Sequence, residues 1–175
     1  MEQKWPSCLA IVRHGESERN IAKDKARLKD AHSFGAGLRD IDTPLTEKGH
    51  RQARATGEFF AKQYTFDAVF TSPYLRTVQT AEEIIGQLRS KLAVVREERI
   101  REIEFGILDG LTAKGMKSKY PEEFARRQRE GKYWYRPPGG ESRPDVALRV
   151  HSFLGTLARD YRRRSVWSCA TAWSS

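Results

Sequence analysis

Apolar residues in this chain come in short runs separated by longer amphipathic stretches. Leu9–Val12 is one such run, read as a buried strand, and it stops abruptly at Arg13, His14 and Gly15. Residues 16–40 are polar and mixed, with Ser33–Gly37 (SFGAG) marking a loop. Between Asp42 and Gln63, Ala53, Ala55, Phe59 and Phe60 recur at helical spacing behind Thr46, the candidate N-cap. Ala68–Phe70 predicts a second strand closing in Thr71, Ser72 and Pro73, Leu75–Arg89 a helix, and Leu92–Glu97 a third strand. Arg101–Thr112 is loop-like, punctuated by Gly106 and Gly110. Pro121–Gly131 reads as a short charged helix with proline at its start, and Tyr133–Ser142 as irregular. A last helix spans Asp145–Arg164, with Val146, Leu148, Val150, Phe153, Leu154 and Leu157 at helical spacing, before a strand-like Ser165–Cys169. Strand and helix alternate throughout. The expected fold is α/β: a single domain over residues 1–175, with a mostly parallel central sheet covered by helices on both faces in a three-layer α/β/α sandwich.

Composition narrows the picture. A length of 175 residues suits one domain with a sizeable core. The formal net charge of +9 fits binding to nucleic acid, anionic membranes or small phosphate esters, or a solvated basic surface. No apolar segment reaches membrane-spanning length, and the N-terminus lacks a signal-peptide pattern. Cys8 and Cys169 make no disulfide framework, so a cytoplasmic location is expected. No His/Cys cluster has metal-ligand spacing, so neither a metal nor a cofactor is expected.

In parallel sheets, sites form beyond the carboxyl ends of strands. Two strand ends carry chemistry here. His14 follows the first strand directly, beside Arg13, and a neutral imidazole is a nucleophile at physiological pH. Its natural target beside a guanidinium is phosphorus, because arginine grips phosphate oxygens as a fork. At the second strand end, Ser72 precedes a helix whose first turn holds Arg76, where backbone N–H groups favour an anion.

The blocks RHGES, PLTEKGHRQA, SPYLRTVQTA, REIEFGILDG and PPGGES, in this order and spacing, resemble the histidine phosphatase superfamily, which includes the cofactor-dependent phosphoglycerate mutases. The resemblance runs from Leu9 to about Arg164 and implies a phosphoglycerate mutase-like fold. It implies that His14 is phosphorylated during turnover, that Arg13 and Arg76 hold the phosphoryl group with Ser17 and Asn20 assisting, and that Glu102 protonates the leaving oxygen and then serves as base for water. Glu141 and Ser142 are implied near the pocket rim. Tyr133, Trp134 and Tyr135 are candidates for an aromatic wall or for a packed loop anchor.

One block breaks the pattern. The family carries a second histidine at a strand end after the helix closing near Arg164, on a strand expected beside the first, whereas this chain reads SVWSCATAWSS. His32, His50 and His151 lie in other blocks. Shifting the back-translated reading of Trp167–Ser175 by one base permits LVVCHGLVV, the missing block, so a single-nucleotide frameshift near Val166 and an incomplete C-terminal part are expected. The coding DNA tests this. The resulting expectation is a phosphomonoester hydrolase impaired by loss of that histidine, acting on a small phosphorylated substrate, with no nucleic-acid or membrane partner. Mutase-type phosphoryl transfer and a non-catalytic phosphate-binding remnant are the alternatives. The segment 119–142 looks closer to the phosphatase-like branches.

Overall fold

The structure, a computed structural model, describes residues 5–34, 37–89 and 92–171. Parts of three regions read above, the N-terminus, the SFGAG loop and the tail after Thr171, therefore lie outside the described residues.

Four strands form one sheet: β1 (Cys8–Arg13), β2 (Ala68–Thr71), β3 (Val94–Arg96) and β4 (Ser165–Ala170). Their spatial order is β1-β4-β2-β3, and every pairing is parallel. The last strand pairs with the first, Cys8 opposite Ser165 through Arg13 opposite Ala170, as the resemblance implied.

Side chains alternate across this sheet and give each face its own core. Val69, Trp167 and Cys169 pack on one face against Ala53 and Phe60 of α2 (Glu47–Gln63) and Ala81 and Ile84 of α3 (Leu75–Ile85). Phe70 and Val166 face the other way, onto Phe153 and Leu157 of α6 (Arg143–Asp160). Three layers result, as expected from the alternation of elements. Among the described residues no helix is long and apolar enough to cross a membrane.

Several boundaries differ from the sequence pattern. A helix, α1 (Glu18–Leu28), occupies a segment read as mixed polar chain. It buries only Ala26 and so carries almost no apolar stripe. What starts it is a capping box in which Ser17 and Asn20 satisfy each other's backbone N–H groups, with asparagine where glutamate or glutamine is usual. A short α4 (Ala113–Lys119), capped by Thr112, fills a segment to which the sequence pattern assigns no element. The helix α5 runs Pro121–Trp134 rather than stopping at Gly131, because Gly131 takes a left-handed φ of 78° and kinks the chain without ending it. Finally, α6 starts at Arg143, capped by Ser142, and stops at Asp160.

Candidate active site

The site lies at the carboxyl ends of β1 and β2. Gly15 lets the chain leaving β1 pass against the start of α2: a Cβ there would sit 2.5 Å from the carbonyl oxygen of Gly49. Thr80 of α3 then joins the two strand ends. Its hydroxyl accepts from the Gly15 N–H at 3.1 Å and donates to the Arg76 carbonyl at 2.7 Å.

A cavity of about 760 Å³ opens there. Of the nine residues singled out in the sequence, seven line it: Arg13, His14, Ser17, Asn20, Arg76, Glu102 and Glu141. Ser72 and Ser142 are not brought to the lining. The fully buried Ser72 holds the turn after β2, its hydroxyl accepting from the Tyr74 N–H and its carbonyl from the hydroxyls of Thr71 and Thr77. Ser142 is spent as the α6 cap, bonded to Asp145. Of the three aromatics, only the buried Tyr135 lines the cavity; the exposed Tyr133 and Trp134 do not.

His14 is buried, and its Nδ1 lies 2.6 Å from the carbonyl oxygen of Gly15. A carbonyl only accepts, so Nδ1 carries the proton and Nε2 keeps its lone pair. Burial lowers its pKa to about 4, with Arg76 and Arg13 acting in the same direction and the Gly15 bond opposing. The imidazole is therefore neutral at pH 7. Among the described residues it is the only histidine lining the cavity.

Arg76 is also buried, yet not free. Its Nη1 donates to a carboxylate oxygen of Asp40 at 2.7 Å and to the Asp40 carbonyl at 2.8 Å, and its guanidinium stacks 4.8 Å over the Tyr74 ring. Arg13 is exposed and has no hydrogen-bond or ion-pair partner among the described residues. Asn20 accepts from the Ser17 N–H and hydroxyl through Oδ1, which leaves its Nδ2 donors for a ligand. The Ser17 hydroxyl is committed to that cap.

Glu102 is buried 3.8 Å from Arg76, with Oε1 accepting from the Ile103 N–H at 3.0 Å. Burial raises its pKa against the pull of that bond and of Arg76, so it holds a proton more readily than a solvated glutamate. Glu141 is saturated by Arg149, Arg101 and the Glu104 N–H. Among the described residues no three His, Cys, Asp or Glu side chains converge as a metal ion requires.

Three residues escaped the sequence reading. Asp40 binds both Arg76 and Arg19, Arg19 also pairs with Asp109, and Arg149 clamps the chain around Glu102 by donating to the carbonyls of Arg99, Arg101 and Glu102. Arg19 stands five residues after His14, two beyond the RHGES block. Asp40 and Arg149 belong to no motif.

A buried neutral imidazole beside a buried guanidinium and a carboxyl whose pKa is raised by burial makes a site suited to phosphoryl chemistry. Residues 9–171 match the family described as the histidine phosphatase superfamily (branch 1), and the chain belongs to it. The chain is 35% identical over 144 residues to a 2,3-bisphosphoglycerate-dependent phosphoglycerate mutase of Mesorhizobium japonicum, covering 81% of this chain and 64% of the relative. It is 32% identical over 164 residues to phosphoserine phosphatase 1 of Hydrogenobacter thermophilus, covering 90% and 67%. The structure of a mycobacterial glucosyl-3-phosphoglycerate phosphatase in complex with inorganic phosphate superposes with a TM-score of 0.65 at 29% identity, covering 93% of this chain and 72% of that one. The chain thus spans less than two thirds of the length of the first of these relatives.

Proposed function

We propose that this chain carries the site of a phosphomonoester hydrolase working through a phosphohistidine on His14. The observation that carries the reading is the Nδ1 bond to Gly15, which leaves an unprotonated Nε2 on a residue lining a cavity shared with Arg76 and with Glu102, whose pKa burial raises. In the first step Nε2 attacks phosphorus, the P–O ester bond breaks, and Glu102 gives its proton to the departing oxygen. Arg13, Arg76 and the Nδ2 of Asn20 bind the equatorial oxygens. In the second step the Glu102 carboxylate takes a proton from water, whose oxygen attacks phosphorus and releases phosphate and neutral His14.

The relatives bear the names of both mutases and phosphatases. A mutase returns the phosphoryl group to a second substrate molecule, whereas a hydrolase admits water. The wide cavity leaves room for water beside a bound ester. With one histidine in the cavity lining among the described residues, we propose turnover slower than in a two-histidine site by on the order of 10²–10³.

The test is hydrolysis of a generic aryl phosphate by the 175-residue chain beside His14→Ala. Turnover lost in the variant supports the reading. Phosphate binding with no turnover in either chain would instead identify a non-catalytic binder, and phosphoryl transfer to an added acceptor in place of water would identify a mutase.

A further inference from the structure

The cavity is far larger than a phosphoryl group, and its charge is lopsided. Eight lysine and arginine side chains line it against four aspartates and glutamates. Those four already face cations of the protein: Asp40 and Asp109 pair with arginines of the site, Glu141 with Arg101 and Arg149, and Glu102 lies 3.8 Å from Arg76. Of the cations left over, only Arg13 adjoins His14 in the chain.

Lys23 and Arg27 lie four residues apart on α1, hence on one face, and both line the cavity with no ion-pair partner among the described residues. Ser17, the α1 cap, sits at the phosphoryl end. At 1.5 Å of rise per residue, Lys23 and Arg27 stand about 9 and 15 Å further along the helix axis. Arg127 of α5 completes this far end. Its Nη1 contacts Met116 of α4, and α4 is tied to the chain just after α1 by the bonds of Thr112 to Ala31 and His32 and of Lys114 to Asp30. The same cavity wall carries Phe34, Leu108, Leu111 and Phe124.

We infer that Lys23, Arg27 and Arg127 form a second anion subsite, so that the substrate is an elongated phosphomonoester with an apolar middle and a second anionic group about 10 Å from the transferred phosphorus. This rests on the phosphoester reading of the site. Compact bisphosphates with their two phosphoryl groups on adjacent carbons do not span the two ends.

The experiment uses three probes on the full chain carrying His14→Ala, which prevents turnover: hexyl phosphate, hexanediol bisphosphate and ethanediol bisphosphate, each titrated by calorimetry. Hexanediol bisphosphate is expected to bind about tenfold tighter than either of the others, as partly exposed ion pairs of modest strength allow. Adding Lys23→Gln, Arg27→Gln and Arg127→Gln together brings the ratio close to one; circular dichroism checks that this variant is folded. A ratio near one in the parent, a ratio untouched by the three substitutions, or equally tight binding of ethanediol bisphosphate overturns the inference while leaving the phosphoester reading intact. Binding of none of the probes, together with no hydrolysis by the unsubstituted chain, overturns both.

Discussion

Asp40 holds Arg76 in place: its carboxylate oxygen sits 2.7 Å from a guanidinium nitrogen that is almost fully buried. The same carboxylate accepts from Arg19 at 3.0 Å, so one acid fixes two guanidiniums at the cavity wall. Removing one partner of a buried pair strands the other. Asp40→Ala is predicted to destabilise the fold by about 3 kcal/mol, read by urea unfolding. Arg76→Lys keeps the charge and loses the planar fork. It is predicted to lower kcat/KM for an aryl phosphate about 100-fold. Activity equal to the parent's would mean that Asp40, and not phosphate, is the purpose of Arg76.

The acid limb of kcat/KM is predicted to report His14. With its pKa lowered by burial to about 4, hydrolysis is predicted to persist well below pH 6.5 and to fall only as His14 takes up a proton near 4. Stability follows the same group. As pH drops below 6.5 the unfolded chain binds the proton first, so stability is lost between pH 6.5 and 4 and levels off below. The loss is on the order of 3 kcal/mol. Denaturant melts of the parent and His14→Gln at neutral and acid pH measure it, and the variant should show the shallower decline.

Glu102 is predicted to matter in proportion to how badly the leaving group needs a proton. Glu102→Gln should slow hydrolysis of an alkyl phosphate by about 10²–10⁴, and that of a nitrophenyl phosphate, whose phenolate leaves unaided, much less. The alkaline limb assigned to this carboxyl, displaced above the ordinary glutamate range by burial, should vanish in the variant. Equal losses on both esters would remove the proton-donor role.

Arg149 positions Glu102 without lining the cavity itself. Because it donates to the carbonyls of Arg99, Arg101 and Glu102, the last at 3.1 Å, Arg149→Met is predicted to lower kcat on alkyl phosphates about tenfold while moving KM little. The alkaline limb should shift with it. A loss confined to thermal stability would make Arg149 purely structural.

The legible parts of this molecule were those written in hydrophobic pattern or in motif. Trp167 and Val166 face opposite cores because a strand alternates, and the alternation is visible in sequence. The strand-end placement of His14 and Arg76 followed from the same runs. By contrast α1 has no apolar face to betray it, since one small alanine is all it buries. Asp40 and Arg149 act across long sequence separations, and their partners are set by the folded chain alone. Ser142 misled because a helix cap and a ligand-binding hydroxyl look alike in sequence.

A phosphohistidine is a covalent species, and it can be trapped. The full chain is mixed with an aryl phosphate, quenched in alkali, where phosphohistidine survives, and mapped by mass spectrometry. One phosphoryl group is expected on His14, absent from His14→Ala. Steady turnover with no trapped phosphoryl group, or a phosphoryl group on a different residue, would contradict it.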